Sequence, residues 1–175
     1  GQMSFLTAKV AQIKEQARHN IRDGAVTPSY GADVNEVIEI LNEALASEIV
    51  CVLRYRHHYQ MAKGMDSEPI AAEFLEHAEE EQKHADWLAE RITQLNGKPN
   101  HSPVGLAERS HTDFVECDSL EEMVKENLIA ERIAIDLYRE MILHIGDKDT
   151  TTKILLEKIL QEEEEHADDL ANFMD

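Results

Sequence analysis

Glu81-x-x-His84 and Glu163-x-x-His166 each set a carboxylate and an imidazole three positions apart. On a helix, residues i and i+3 share a face, so both groups can reach one ion. Two further glutamates, Glu48 and Glu131, stand alone, without a histidine three residues on. Carboxylate oxygen and imidazole nitrogen suit iron, manganese or zinc, and affinity order alone does not choose among them. A single Glu-x-x-His in an acidic helix carries little weight. The all-glutamate run 162–165 makes one match almost free. The weight lies in what surrounds the four glutamates.

Each glutamate interrupts an apolar stripe. One stripe reads Leu41, Leu45, Glu48, Val52, Tyr55, Tyr59, and another reads Val124, Leu128, Glu131, Ile135, Tyr138, Ile142. A third reads Phe74, Ala78, Glu81, Ala85, Leu88, Ile92, and a fourth Leu156, Leu160, Glu163, Ala167, Leu170. Steps of three and four residues mark a seam facing a bundle interior. A buried, unpaired carboxylate costs several kcal/mol or more. No Lys or Arg occupies these seams to offset four of them. Two divalent ions would balance the charge, which is the physical argument for a dinuclear site.

The helices that position these residues follow from the punctuation. Breaks fall at 24–31, 63–67, 97–119 and 146–149, and helical periodicity fills the intervals. Asp33 with Glu36, and Ser119 with Glu122, have capping-box spacing, and Gly64, Gly97 and Gly146 sit where helices should stop. The expectation is a short N-terminal helix over 4–22 and long helices over 34–64, 67–96, 119–146 and 150–174. Tight turns make two antiparallel hairpins. Glu48 and Glu81 lie 17 and 16 residues from a turn centred on Met65; Glu131 and Glu163 each lie 16 from one centred on Asp147. All four therefore stand at one level. The connector 97–119 could span about 75 Å extended, more than the roughly 44 Å of a 29-residue helix. It can cross the whole bundle. The fold class is all-α: a four-helix bundle with one long crossover at 33–175, preceded by an N-terminal helical extension at 1–32.

The halves also repeat. Glu81-x-x-His84-Ala85-Asp86-x-Leu88 matches Glu163-x-x-His166-Ala167-Asp168-x-Leu170, and Glu48 and Glu131 are each followed seven residues later by Tyr-Arg (Tyr55-Arg56, Tyr138-Arg139). Duplicated hairpins would give a pseudo-two-fold site. Asp86 and Asp168 are candidate partners for the ligand histidines, against the plainer role of solvated acids.

The bulk numbers set limits. The 175 residues suit one domain, and the formal net charge of −19 repels nucleic acid and anionic membranes. Lys9, Lys14, Arg18 and Arg22 are opposed by Glu15, Asp23 and the charge of the whole chain, which argues against DNA; packing on a neighbouring subunit is the expected role of that stretch. No apolar run approaches membrane-spanning length. Cys51 and Cys117 form no CxxC pair, and a reducing, cytoplasmic setting is the default. Gly1 and Gln2 before Met3 read as residues left by expression. His57 and His58 are expected to be surface or packing residues.

These motifs resemble those of the ferritin-like superfamily over about 34–174. The stretches from Leu41-Asn42-Glu43 through Glu48 to Tyr55, and Glu81-x-Lys83-His84-Ala85-Asp86, are similar to bacterioferritins. The resemblance implies a ferroxidase centre of two iron ions, bridged by Glu81 and Glu163 and completed by Glu48–His84 and Glu131–His166. It also places Tyr55 beside the centre, where the phenol could donate a hydrogen bond or an electron; a plain seam aromatic is the competing role. Where bacterioferritins carry a haem-ligating Met, this chain has Gln82, which argues against haem. The sequence stops at Asp175, without the short fifth helix of 24-subunit cages, and adds an N-terminal segment instead. That combination resembles Dps-like ferritins with a bacterioferritin-type site, so a homo-oligomeric shell of 12 rather than 24 subunits is expected.

The resulting functional expectation is oxidation of Fe(II) by O2 or H2O2, for iron storage or detoxification and protection from oxidative stress. The alternatives are a manganese catalase or rubrerythrin-like peroxidase, or a non-enzymatic helical assembly module. Cys51, one turn from Glu48, is either redox-active, as in thiol-bearing Dps-like ferritins, or a small buried hydrophobe.

Overall fold

A computed structural model describes residues 4–174. Six helices follow in order: α1 (Phe5–Gln16), α2 (Val34–Gly64), α3 (Glu68–Gln94), the single turn α4 (Leu106–Arg109), α5 (Leu120–Ile145) and α6 (Thr150–Ala171). The described residues contain no strand. Helices α2, α3, α5 and α6 form the four-helix bundle.

Capping explains where the helices begin. Asp33 accepts from the amides of Asn35 and Glu36, and Ser119 accepts from Glu122 N. Glu122 reaches back to Asp118 N rather than to the cap residue itself. Asp149 caps α6 through Thr152 N. α2 stops at Gly64 as expected, whereas α3 ends at Gln94, short of the expected 96. The left-handed positions are Asp66 and Asn96, with φ of 56° and 67°; these side chains tolerate that region. Gly97 is needed for a different reason: a Cβ there would lie 2.9 Å from the Ile38 side chain.

The expected N-terminal helix is shorter than 4–22. α1 ends at Gln16, and Asn20, at φ 52°, turns the chain into a 3-10 turn at Ile21–Asp23. No residue of α1 is buried, so no tertiary packing extends it past the polar stretch His19-Asn20. The segment after it does reach the bundle, where Val26 and Tyr30 pack against the core.

The connector realises the crossover. Asn42 bonds Lys98 O and Asn100 N, Ser47 Oγ accepts from His111 N, and Arg54 donates to Thr112 and to Asp113 O. His58 Nε2 then meets Val115 O at 2.9 Å. Successive connector residues thus meet successively later residues of α2, so the strap runs parallel to α2 and delivers α5 at its far end. α5 descends antiparallel to α2, and α6 antiparallel to α3.

Two apolar clusters fill the bundle. One contains Leu41, Leu45, Leu88, Ile92, Leu156 and Ile159; the other contains Phe74, Ala78, Met123, Val124 and Leu170. The glutamate level lies between them, so hydrocarbon closes it from both ends of the bundle.

Candidate metal centre

The six predicted residues meet in one place. Glu48, Glu81, Glu131, Glu163, His84 and His166 are all buried, none more than 2% exposed. Their donor atoms fall into two groups: Glu48, Glu81, His84 and Glu163 in one, Glu81, Glu131, Glu163 and His166 in the other. Within each group the atoms lie within 4.8 Å of one another. Glu81 and Glu163 belong to both. Each helix of the bundle supplies one glutamate, and α3 and α6 add the histidines one turn on.

The polar bookkeeping is one-sided. Eight buried atoms of these residues have no hydrogen-bond partner: Glu48 Oε2, Glu131 Oε2, both oxygens of Glu81 and of Glu163, and Nδ1 of His84 and His166. Such orphans are rare in native cores and costly. The histidines are held so that these nitrogens face inward. His84 Nε2 pairs with Glu162 Oε1 at 3.0 Å and His166 Nε2 with Glu80 Oε2 at 2.6 Å, each across the α3–α6 interface. An Nε2–H given to the outer carboxylate leaves the Nδ1 lone pair aimed at the inner ones. His84 Nδ1 lies 2.9 Å from Glu163 Oε1, and His166 Nδ1 2.9 Å from Glu81 Oε1. Lone pairs facing lone pairs fit two cations between them.

The outer partners are therefore Glu80 and Glu162, not Asp86 and Asp168. Both aspartates are exposed, and Asp86 accepts from Gln82 instead. Two residues past a histidine is the opposite side of a helix. One residue before the ligand glutamate of the facing helix is the position that reaches it.

Tyrosines fix the other carboxylate oxygens. Tyr55 donates to Glu131 Oε1 at 2.7 Å and Tyr138 to Glu48 Oε1 at 2.6 Å. Sequence reading singled out Tyr55 alone, although the repeat already paired it with Tyr138. It also passed over His77, which is 1% exposed, stacks on His166 with ring centroids 4.0 Å apart, and meets Tyr55 Oη through Nδ1 at 3.2 Å. Only its position four residues before Glu81 could have flagged it.

Electrostatics follow from burial and crowding. Burial, then the neighbouring Glu81, pushes Glu48 well above the usual carboxylate range. Burial and Glu131 do the same to Glu163. Glu81 moves the other way: burial is outweighed by the adjacent Glu48 carboxyl and the two histidines. For His84, burial is outweighed by Glu48 and Glu81, which raise it to about 11. Without metal the cluster thus holds protons in place of cations.

Two arginines lie buried off the seams, and neither faces the glutamates' open atoms. Arg54 bonds Asn127 Oδ1, Thr112 and Asp113 O; Arg91 pairs with Asp149 at 3.0 Å. His58, with Asn127 at 2.7 Å and Val115, is a buried packing residue, while His57 is half-buried. Cys51 is buried 3.5 Å from Arg54 and borders a small cavity between α2 and α5 that reaches Glu48 and Tyr138. Burial pushes its thiol well up, away from the reactive thiolate. Among the described residues no helix is long and apolar enough to cross a membrane.

Comparison with known proteins agrees with the all-helical fold. The family model described as a ferritin-like domain matches residues 38–175. A bacterioferritin of Mycobacterium tuberculosis is 32% identical over 134 residues, covering 76% of this chain and 80% of that one. Among solved structures, a dodecameric thioferritin, the bacterioferritin-related protein of Bacteroides fragilis, superposes with a TM-score of 0.77 at 33% identity, covering 82% and 87% of the two chains. The bacterioferritin of Desulfovibrio desulfuricans, described with a diiron site in different catalytic states, gives a TM-score of 0.73 at 26% identity, covering 80% and 78%.

Proposed function

The chain belongs to the ferritin-like domain family, and from that premise we propose that it is a ferroxidase, taking Fe(II) as substrate at the buried glutamate–histidine cluster. The observation that carries this reading is the convergence of eight orphaned donor atoms from six buried residues. Glu48 with His84 would hold one ion and Glu131 with His166 the other, with Glu81 and Glu163 reaching both. Carboxylates, as hard ligands, favour the higher charge of Fe(III) over Fe(II). Manganese and zinc fit the same donors, and iron is preferred on the strength of the diiron site described for the Desulfovibrio relative.

The electron count is simple. Two Fe(II) give up one electron each, and H2O2 takes both with two protons to yield two waters. With O2 instead, the same two electrons and two protons yield H2O2. Tyr55 and Tyr138 hold Glu131 and Glu48 in position, and Tyr55 is the further residue proposed to assist, as a hydrogen-bond donor or electron donor. The apolar clusters above and below exclude water from the site.

The reading extends to a cytoplasmic, homo-oligomeric shell for iron storage or detoxification, with protection from oxidative stress. Twelve subunits are preferred over 24, supported by the likeness to the dodecameric thioferritin. Optical Fe(II)-oxidation assays comparing O2 with H2O2, followed by native mass spectrometry, test it. Glu81→Ala is expected to abolish rapid oxidation. Stoichiometric metal absent after iron loading, with Glu81→Ala oxidising Fe(II) like the wild type, would sink the reading.

A further inference from the structure

Beside the six-residue cluster lies a second convergence of donors, outside its ligand set. His77 Nε2 faces Glu73 Oε1 at 2.9 Å and Asp169 Oδ2 at 3.7 Å. The three residues bring one donor atom each within 4.8 Å of one another. They come from α3, one turn apart, and from the facing turn of α6. His77 is 1% exposed, and its Nε2 has no hydrogen-bond partner despite the nearby carboxylate. Glu73 is half-buried and Asp169 exposed, so one side of the group opens to solvent.

Hydrogen bonding fixes which atom of His77 is free. Tyr55 spends its proton on Glu131 Oε1. Its oxygen can then only accept from His77, so Nδ1 carries the ring proton. Nε2 is left as a lone pair aimed at two carboxylates. Glu73 and Asp169 also crowd each other: burial, then the Asp169 carboxylate, pushes Glu73 up to about 7. Three acceptors around one point call for a cation, and an imidazole with two carboxylates is a first-row metal donor set.

We propose that Glu73, His77 and Asp169 form a third metal site, which takes a divalent first-row cation from solvent beside the buried centre. Its role follows from its neighbours. The six inner ligands are buried, whereas this group is reached from outside, and the His77 ring lies flat against His166. A cation held here waits next to the centre; this feeder role rests on the ferroxidase reading, whereas the site itself does not.

The test uses Co(II), which binds as Fe(II) does but resists oxidation by air. Crystals of the full chain soaked in Co(II) are examined by anomalous scattering at the cobalt edge. Three peaks per chain are expected, one of them between His77 Nε2 and the two carboxylates. In Asp169→Asn and Glu73→Gln, which keep side-chain size, that peak should vanish while the two inner peaks persist. No third peak in the wild type, or an undiminished one in both variants, overturns the site. Inner peaks missing while the third persists would instead count against the ferroxidase reading and leave this site supported. For the feeder role, Asp169→Asn should slow Fe(II) oxidation about tenfold at low iron, the scale on which an acidic funnel raises arrival rates. An unchanged rate overturns that role.

Discussion

Tyr138 Oη lies 2.6 Å from Glu48 Oε1, and its counterpart in the other half, Tyr55 Oη, lies 2.7 Å from Glu131 Oε1. Each tyrosine crosses the α2–α5 interface to the glutamate of the opposite helix. The duplication is thus written into the hydrogen bonds as well as the ligands. It is not perfect, because Tyr55 alone also accepts from His77.

That asymmetry gives a ranking. Tyr138→Phe removes one hydrogen bond to Glu48, which burial keeps protonated in the metal-free protein, worth about 1 kcal/mol. Tyr55→Phe removes a bond of at least that size to Glu131 and leaves His77 Nδ1 unpaired as well, adding about 1 kcal/mol or more. Urea unfolding of the metal-free protein should show both variants destabilised, Tyr55→Phe the more so. The reverse order would show that the His77 contact contributes nothing.

Glu80 and Glu162 hold the outer nitrogens of His166 and His84. Glu80→Gln and Glu162→Gln should each weaken Co(II) binding at the inner centre by about 10–100-fold, the scale of an outer-partner loss. Glu80 should matter more. Its bond is shorter, at 2.6 Å against 3.0 Å, and Glu162 is shared with Lys83 at 3.1 Å. Calorimetric titration at fixed pH checks both the size and the order.

Protons and cations compete for this cluster. His84 is raised from its ordinary 6.5 to about 11 in the metal-free protein. A raised histidine contributes stability that is complete below 6.5 and lost as pH climbs through 11. The raised carboxylates Glu48 and Glu163 act in the same direction, favouring their protonated forms. The metal-free protein should therefore lose stability above pH 4.5 through the two carboxylates and more steeply above 6.5 once His84 joins them, by up to about 1.4 kcal/mol per pH unit for each group. Metal binding must expel these protons, so Co(II) affinity should rise with pH over the same window. Thermal melts with and without Co(II) between pH 6 and 9 should diverge as pH increases. Parallel curves would mean that the cluster does not exchange protons for metal.

The legible part of this site was the part that violated a pattern. A glutamate in the place of Leu or Val on a seam is visible because burial makes it costly, and four at one level also told the register of the helices. The length of 97–119 allowed the crossover, and the tight turns at 63–67 and 146–149 left it as the one long connection. What stayed hidden does not violate any pattern. Glu80 and Glu162 stand in acidic runs where one more glutamate carries no signal, and only the facing helix distinguishes them from their neighbours. Asp86 and Asp168 repeat in the sequence as clearly as the ligands do, yet they point outward. His77 looks like any polar residue of α3 until the stacking on His166 is known. Arg54 hides likewise, because its partners Asn127, Thr112 and Asp113 lie 58–73 residues away along the chain.

The N-terminal segment is tied to the bundle through the carboxylate of Asp149. Asp149 caps α6, pairs with Arg91 of α3 at 3.0 Å, and accepts from Tyr30 Oη at 2.6 Å. One carboxylate thus joins the start of α6, the end of α3 and the segment before α2. Asp149→Asn leaves a buried guanidinium without its counter-charge and should cost about 3–5 kcal/mol. Tyr30→Phe cuts only the outer tie, about 1 kcal/mol, and leaves the cap on α6 intact. Limited proteolysis separates the two effects. Tyr30→Phe should speed cleavage before Val34 while the melting temperature stays close to the wild type, whereas Asp149→Asn should lower the melting temperature as well. If Tyr30→Phe is cleaved no faster than the wild type, packing of Val26 and Tyr30 on the core, rather than the phenol's hydrogen bond, holds the segment in place.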